Sequence, residues 1–95
     1  MTGAESQHVK DIRRVRDELV RSVRRVGRMV ALLYQSNQLS ERERELVECQ
    51  LTMSDKAERL IELTETKPVT VYESFMKALQ DTNQQHLCKL LQDRD

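Results

Sequence analysis

Apolar residues recur at helical spacing through the first third of the chain. Val9, Ile12, Leu19 and Val23 are separated by three, seven and four residues, and this period predicts a first helix over about 8–22. A second stripe at i, i+3, i+4 and i+7 predicts a second helix, formed by Val26, Met29, Val30 and Leu33. A single helix over 8–36 would be long for a chain of 95 residues, so we place a tight turn near 22–25.

The third and fourth helices are marked by N-terminal caps. Ser40-Glu41-Arg42-Glu43 has the pattern of a capping box, in which the first and last residues exchange side-chain and backbone hydrogen bonds. It predicts a short helix over 41–49 with Leu46 and Val47 facing inward. Thr52 is the predicted cap of a helix over 53–65, which Lys67-Pro68 ends because proline steers the preceding residue away from helical backbone.

Two further caps predict the last two helices. Thr70-Val71-Tyr72-Glu73 has the pattern of a second capping box, followed by an apolar stripe in which Phe75 is the expected core residue. Asn83 is the expected cap of a sixth helix that carries Leu87, Leu90 and Leu91. The chain has only two glycines and one proline, and no strand-length run alternates in polarity. We therefore predict an all-α fold, a six-helix antiparallel bundle.

Length and composition bound what this bundle can be. We expect residues 1–95 to form a single domain with an ordered helical core over about 8–91 and short frayed termini. No apolar run approaches a membrane span, and no signal-peptide core is present. Two cysteines, Cys49 and Cys88, are too few for a secreted disulfide framework. We read both as reduced, buried or half-buried thiols in the cytoplasm.

The residues that could carry chemistry do not form a recognisable site. His8 and His86 are the only histidines, and the two-residue spacing of His86 and Cys88 turns them to different sides of a helix. The short cysteine spacing of a zinc site is absent. We therefore predict no enzyme activity, no metal and no cofactor.

Charge is distributed unevenly along a chain whose net charge is zero. Residues 8–30 hold eight basic and three acidic side chains, whereas residues 40–65 hold eight acidic and four basic ones. A chain with a basic first third and an acidic middle can attract a second copy of itself.

Several short runs between Leu39 and Leu91 follow one family pattern. They are Leu39-Ser40, then Thr52 with Asp55-Lys56-Ala57 and Leu60-Ile61, then Phe75 with Ala78-Leu79, and finally Asp81-Thr82-Asn83-Gln84-Gln85-His86-Leu87 with Leu90-Leu91. This stretch resembles the second half of a caspase activation and recruitment domain, a branch of the death-domain superfamily. The family commonly has glycine where Asn83 stands, and both residues tolerate left-handed backbone. The first 38 residues match only in pattern.

The resemblance implies a fold and a function. The fold would be the Greek-key helical bundle of the death-domain superfamily. The function would be homotypic assembly with other such domains, in a caspase, an adaptor or a nucleotide-binding receptor, during apoptosis, inflammation or innate immune signalling. Such domains commonly pair a basic surface of helices 1 and 4 with an acidic surface of helices 2 and 3. On matching positions the basic side would be Arg13, Arg16, Lys56 and Arg59, and the acidic side would be Glu41, Glu43, Glu45 and Glu48.

One departure from the family and two alternatives bear on this hypothesis. The second helix carries no acidic residue, so the acidic side would depend on the third helix. The domain could self-associate into filaments, or it could bind one partner as a regulator or decoy without polymerising. A third hypothesis is nucleic-acid binding through the arginines of 10–28, which zero net charge and the lack of an aromatic stacking platform disfavour. No membrane partner is expected.

Overall fold

The computed structural model describes residues 6–93, and this part of the chain is helical without any strand. Its six helices are α1 (Gln7–Ser22), α2 (Val26–Gln35), α3 (Glu41–Glu48), α4 (Met53–Thr66), α5 (Val69–Asp81) and α6 (Gln85–Gln92). The predicted all-α fold and its six helices are confirmed. The expectation of frayed termini concerns mainly residues outside 6–93.

The first two helices are separated by a turn, as the sequence predicts. α1 ends at Ser22, and Arg25, which precedes α2, adopts a left-handed conformation with φ 57° and ψ 40°. No long helix can pass through that conformation. α1 itself is interrupted at Val15, whose φ of −119° and ψ of 17° are not helical. The periodicity did not predict this kink.

The helices enclose one apolar core. α1 packs against α4 and α6, while α2 packs against α3, α4 and α5. The core side chains that are at most 2% exposed include Ile12, Leu19, Met29, Leu33, Leu60, Ile61, Phe75, Leu79, Leu87 and Leu91. Burial of this kind is the dominant favourable term in folding, at about 25 cal/mol per Å² of apolar surface. The core position of Phe75 is confirmed.

The predicted caps of α5 and α6 are wrong. α5 begins at Val69 directly after Pro68, so Thr70 already lies inside the helix and cannot cap it. The backbone N–H of Val71 donates to the carbonyl of Pro68 at 2.9 Å, and the fixed φ of proline suits this early start.

Asn83 has a different role from the predicted one. It lies between α5 and α6 in a left-handed conformation with φ 63°, and Gln84 rather than Asn83 precedes α6. The interpretation that Asn83 occupies a position suited to glycine is therefore confirmed, because asparagine is one of the few other residues that tolerate this backbone.

Within residues 6–93, no helix is both long and apolar enough to cross a membrane.

Candidate interaction surface

The start of α3 is fixed by the capping box that the sequence predicts. The backbone N–H of Glu43 donates to the Ser40 hydroxyl at 3.1 Å, and the backbone N–H of Ser40 donates to Oε1 of Glu43 at 2.9 Å. Two backbone donors that a helix leaves unpaired are thereby satisfied. The cap sets where each glutamate of α3 points.

Glu43 faces the interior of the molecule and pairs with Lys67 at the end of α4. The ammonium of Lys67 lies 2.9 and 2.8 Å from the two carboxylate oxygens, and each side chain is about a quarter exposed. Burial raises the pKa of Glu43, but the hydrogen bonds from Lys67 and the backbone N–H of Ser40 together outweigh it. The pKa therefore lies below its ordinary value of 4.5. Glu43 is already engaged within the chain.

The other three predicted acidic residues form one exposed row. Glu41, Glu45 and Glu48 are spaced at i, i+4 and i+7, so they share a side of α3, and all three are exposed. No ion pair within residues 6–93 involves any of them. We refer to these three residues as the acidic stripe.

The inner sides of α3 and α2 meet through an aromatic contact. The guanidinium carbon of Arg44 lies 4.4 Å from the ring centroid of Tyr34, a cation–π arrangement. Arg44 and Tyr34 are both half-buried. With Glu43 and Arg44 engaged in internal contacts, the outward side of α3 consists of the acidic stripe, Arg42 and Leu46.

Arg13 and Arg16 of the predicted basic side lie together but share an internal partner. Nε of Arg13 and Nη1 of Arg16 each lie 2.6 Å from a separate oxygen of Glu65 on α4. The Glu65 side chain is only 11% exposed, whereas Arg13 is 56% exposed and Arg16 28%. We refer to Arg13 and Arg16 as the arginine pair.

The other two predicted basic residues lie on a different part of α4. Lys56 precedes Glu65 by nine residues, or about two and a half helical turns, so the two side chains point to opposite sides of α4. Lys56 therefore points away from the side of α4 that meets α1. Arg59 pairs with Glu62 on its own helix at 3.1 Å. The structure does not bring Lys56 and Arg59 beside the arginine pair.

Large apolar side chains are exposed next to the acidic stripe. Leu46 is 38% exposed, Leu51 95% and Met53 59%. The prediction that Leu46 faces inward is wrong, since Val47 alone of the two enters the core at 1% exposure. A helix of only eight residues has a narrow buried side, and the Ser40 cap directs Val47 to it.

The two cysteines differ in their surroundings. Burial raises the pKa of the Cys88 thiol, which donates to the carbonyl of Met76 at 3.3 Å. Cys49 is exposed at the end of α3, so its predicted burial is wrong. Among residues 6–93, no three histidine, cysteine or acidic side chains converge as a metal site requires.

Sequence reasoning missed Glu65 and Lys67 as partners of the predicted site residues. The contacts of Glu65 with the arginine pair and of Lys67 with Glu43 join residues far apart in the chain. No local sequence spacing predicts such contacts. The acidic run of α4 was the one available signal, because an acid that faces α1 would meet its arginines.

Two comparisons with known proteins bear on this surface. The model of the caspase recruitment domain family matches residues 10–94, which includes nearly all of the six helices. A search of curated proteins finds no match.

Proposed function

The chain belongs to the caspase recruitment domain family, whose members associate homotypically, and on that basis we propose that it assembles through an asymmetric contact between copies or relatives. The proposal joins the acidic stripe of one domain to the arginine pair of the next. In the proposed assembly, residues 1–95 act as a single domain. The proposal assigns no reaction and no cofactor to the chain.

The observation that carries the proposal is the outward position of the acidic stripe. Three adjacent carboxylates without an internal partner repel one another, and a cationic surface on a neighbouring domain relieves that repulsion. The arginine pair provides such a surface, because Arg13 is 56% exposed and Glu65 holds both guanidinium groups in place. Guanidinium groups have several donors, so the bond to Glu65 does not exhaust them.

Exposed apolar side chains support the same location. Individual charge pairs at a surface contribute only about 0.2–1 kcal/mol, so charge alone gives a weak contact. Leu46, Leu51 and Met53 add apolar area beside the acidic stripe, and burial of that area is the stronger contribution.

Glu43, Lys56 and Arg59 have lesser parts in this proposal. Glu43 contributes mainly to the cap of α3 and the bond to Lys67. Lys56 and Arg59 belong at most to the rim of the basic side, since they lie away from the arginine pair.

The two surfaces differ, so their contact need not close on itself. A heterologous contact can add copies indefinitely and form a helical filament. We propose that the assembly gathers caspases, adaptors or nucleotide-binding receptors in apoptotic or inflammatory signalling in the cytoplasm. Two separate thiols, Cys49 and Cys88, suit a reducing compartment.

One observation favours a second candidate, a regulator that binds a single partner without polymerising. Glu65 pairs with both arginines, which weakens the basic side relative to the acidic stripe. A domain with one strong surface would end an assembly rather than extend it. Electron microscopy of concentrated protein separates the two, because only the first candidate forms filaments.

A matched pair of charge reversals tests the proposal. Glu45→Lys changes the acidic stripe, and Glu73→Lys makes the same charge change at an exposed position of α5. Sedimentation velocity at low salt should show assemblies for the wild type and Glu73→Lys, and monomer for Glu45→Lys. Equal assembly by both variants would reject the acidic stripe as the contact.

A further inference from the structure

A basic cleft lies between the α1–α2 turn and the α5–α6 turn. It has a volume of about 480 Å³ and is lined by three arginines and one histidine, namely Arg21, Arg24, Arg25 and His86. All four are exposed, and the other described residues that line it are uncharged. In a chain of zero net charge, this is a local excess of positive charge.

The cleft is held open by hydrogen bonds between its two walls. Gln84 lies 4% exposed, and its side-chain amide bonds both backbone groups of Arg24 at 2.6 and 2.7 Å. The same amide donates to the hydroxyl of Thr82 at 2.7 Å. Because these bonds fix the two turns relative to each other, the backbone positions from which the arginines extend are set before any ligand arrives.

Arg25 occupies a backbone conformation that arginine disfavours. Its φ of 57° is left-handed, which costs about 1–2 kcal/mol for a residue with a side chain. Glycine would fit the turn without that cost. The presence of arginine there suggests a use for its guanidinium, which has no ion pair within residues 6–93.

The other two arginines keep hydrogen-bonding capacity. Nη1 of Arg24 donates to the carbonyls of Arg21 and Val23 at 2.7 and 3.1 Å, so its remaining N–H groups stay available. Arg21 pairs with Glu18 at 3.2 Å, and both side chains are more than half exposed, so this pair is weak. Glu18 does not line the cleft.

We propose that this cleft binds a small anion that carries several phosphate groups. Guanidinium groups bind phosphate through paired hydrogen bonds, and three of them on one concave surface match an anion of several charges. The volume lies within the range of about 300–1,000 Å³ that is usual for small-molecule sites. No phenylalanine, tyrosine or tryptophan lines the cleft, and His86 is its one aromatic ring, so it lacks the row of stacking side chains that single-stranded nucleic acid uses.

This inference does not depend on the proposed assembly, because the cleft includes neither the acidic stripe nor the arginine pair. The test measures binding of inorganic tripolyphosphate to the full chain by isothermal titration calorimetry, at a protein concentration where the chain is monomeric. The cleft variant is Arg21→Gln/Arg25→Gln. The matched control is Arg42→Gln/Lys77→Gln, which removes two positive charges from exposed positions outside the cleft.

The expected result is saturable binding of one tripolyphosphate per chain, with orthophosphate at least about tenfold weaker because it spans fewer arginines. The cleft variant should bind at least about tenfold more weakly than the wild type, and the control should stay within about twofold. Equal losses in both variants would overturn the proposal, as would equal affinity for orthophosphate.

A single-stranded oligonucleotide provides the second arm of the experiment. If it binds more tightly than tripolyphosphate and both variants weaken it equally, the binding surface is an extended nucleic-acid surface and the proposed site is rejected. Weaker binding of the oligonucleotide than of tripolyphosphate supports the cleft.

Discussion

The side-chain amide of Gln84 bonds both backbone groups of Arg24, accepting from its N–H at 2.6 Å and donating to its carbonyl at 2.7 Å. Sixty residues separate the two in sequence. The contact ties the α1–α2 turn to the α5–α6 turn. It also gives the polar Gln84 its buried position, since a buried amide requires partners.

Gln84→Leu should therefore destabilise the fold by about 1–3 kcal/mol, because it removes the partner of two backbone groups and of Thr82. Urea unfolding followed by circular dichroism measures the change. Gln85→Ala is the control, since Gln85 is the exposed neighbour and should change stability by less than about 0.5 kcal/mol. Similar stability of the wild type and Gln84→Leu would mean that the hydrogen bonds of Gln84 contribute nothing to the stability of the fold.

Glu43→Gln should remove a pH-dependent part of the stability. The pKa of Glu43 is lowered in the folded chain, so its contribution is present above the unfolded value near 4.5 and is lost as pH falls through the lower folded value. We expect a loss of up to about 1 kcal/mol at pH 7 from the ion pair with Lys67, because glutamine keeps an acceptor for the backbone N–H of Ser40.

Urea unfolding of Glu43→Gln between pH 3 and pH 7 checks this, with Glu45→Gln as the control because Glu45 has no ion pair among residues 6–93. The Glu43 variant should lose less stability than the control as pH falls below 4.5. Parallel curves would contradict the role of Glu43.

Glu65→Gln should lower the stability of the fold and strengthen self-association. The substitution removes the carboxylate that joins Arg13 and Arg16 to α4, and we expect a stability loss of about 1 kcal/mol after allowance for the exposure of the arginines. It also removes one negative charge from the proposed basic side, so self-association should strengthen. Sedimentation velocity and urea unfolding measure the two effects, with the exposed Glu62→Gln as control. Weaker association of a folded Glu65→Gln chain would count against the arginine pair as a contact.

Leu51→Ser should weaken assembly without affecting the fold. Leu51 is 95% exposed, so its side chain contributes little to stability, but it lies directly beyond the acidic stripe. Val69→Ser is the matched control, since Val69 is also exposed, at 47%, and begins α5. If both variants assemble to the same extent, the apolar part of the proposed contact lies elsewhere.

The sequence predicted most of the fold because the relevant signals are local. The Ser40–Glu43 capping box and the Thr52 cap depend on residues three positions apart, and both form as predicted. Thr70-Val71-Tyr72-Glu73 has the same pattern but fails, because α5 begins two residues earlier, directly after Pro68. A capping pattern therefore predicts where a helix begins only if no nearby residue, such as a proline, can start the helix earlier.

The candidate surface was less predictable because its arrangement depends on distant residues. The family resemblance implied an acidic side of Glu41, Glu43, Glu45 and Glu48, but Glu43 pairs with Lys67 at the end of α4. Glu65 likewise engages two arginines that the sequence would leave unpaired. Such contacts follow from how α1, α3 and α4 pack, which periodicity does not specify.

The most direct test of the proposed assembly is a double charge reversal, Arg16→Glu with Glu45→Arg, in one chain. Circular dichroism first establishes that the chains fold, which we expect because Arg13 remains opposite Glu65. Either single reversal should sediment as monomer at low salt. The double variant should regain part of the assembly, because the reversed charges again attract across the contact. A folded double variant that stays as monomeric as the singles, or singles that assemble like the wild type, would contradict the account.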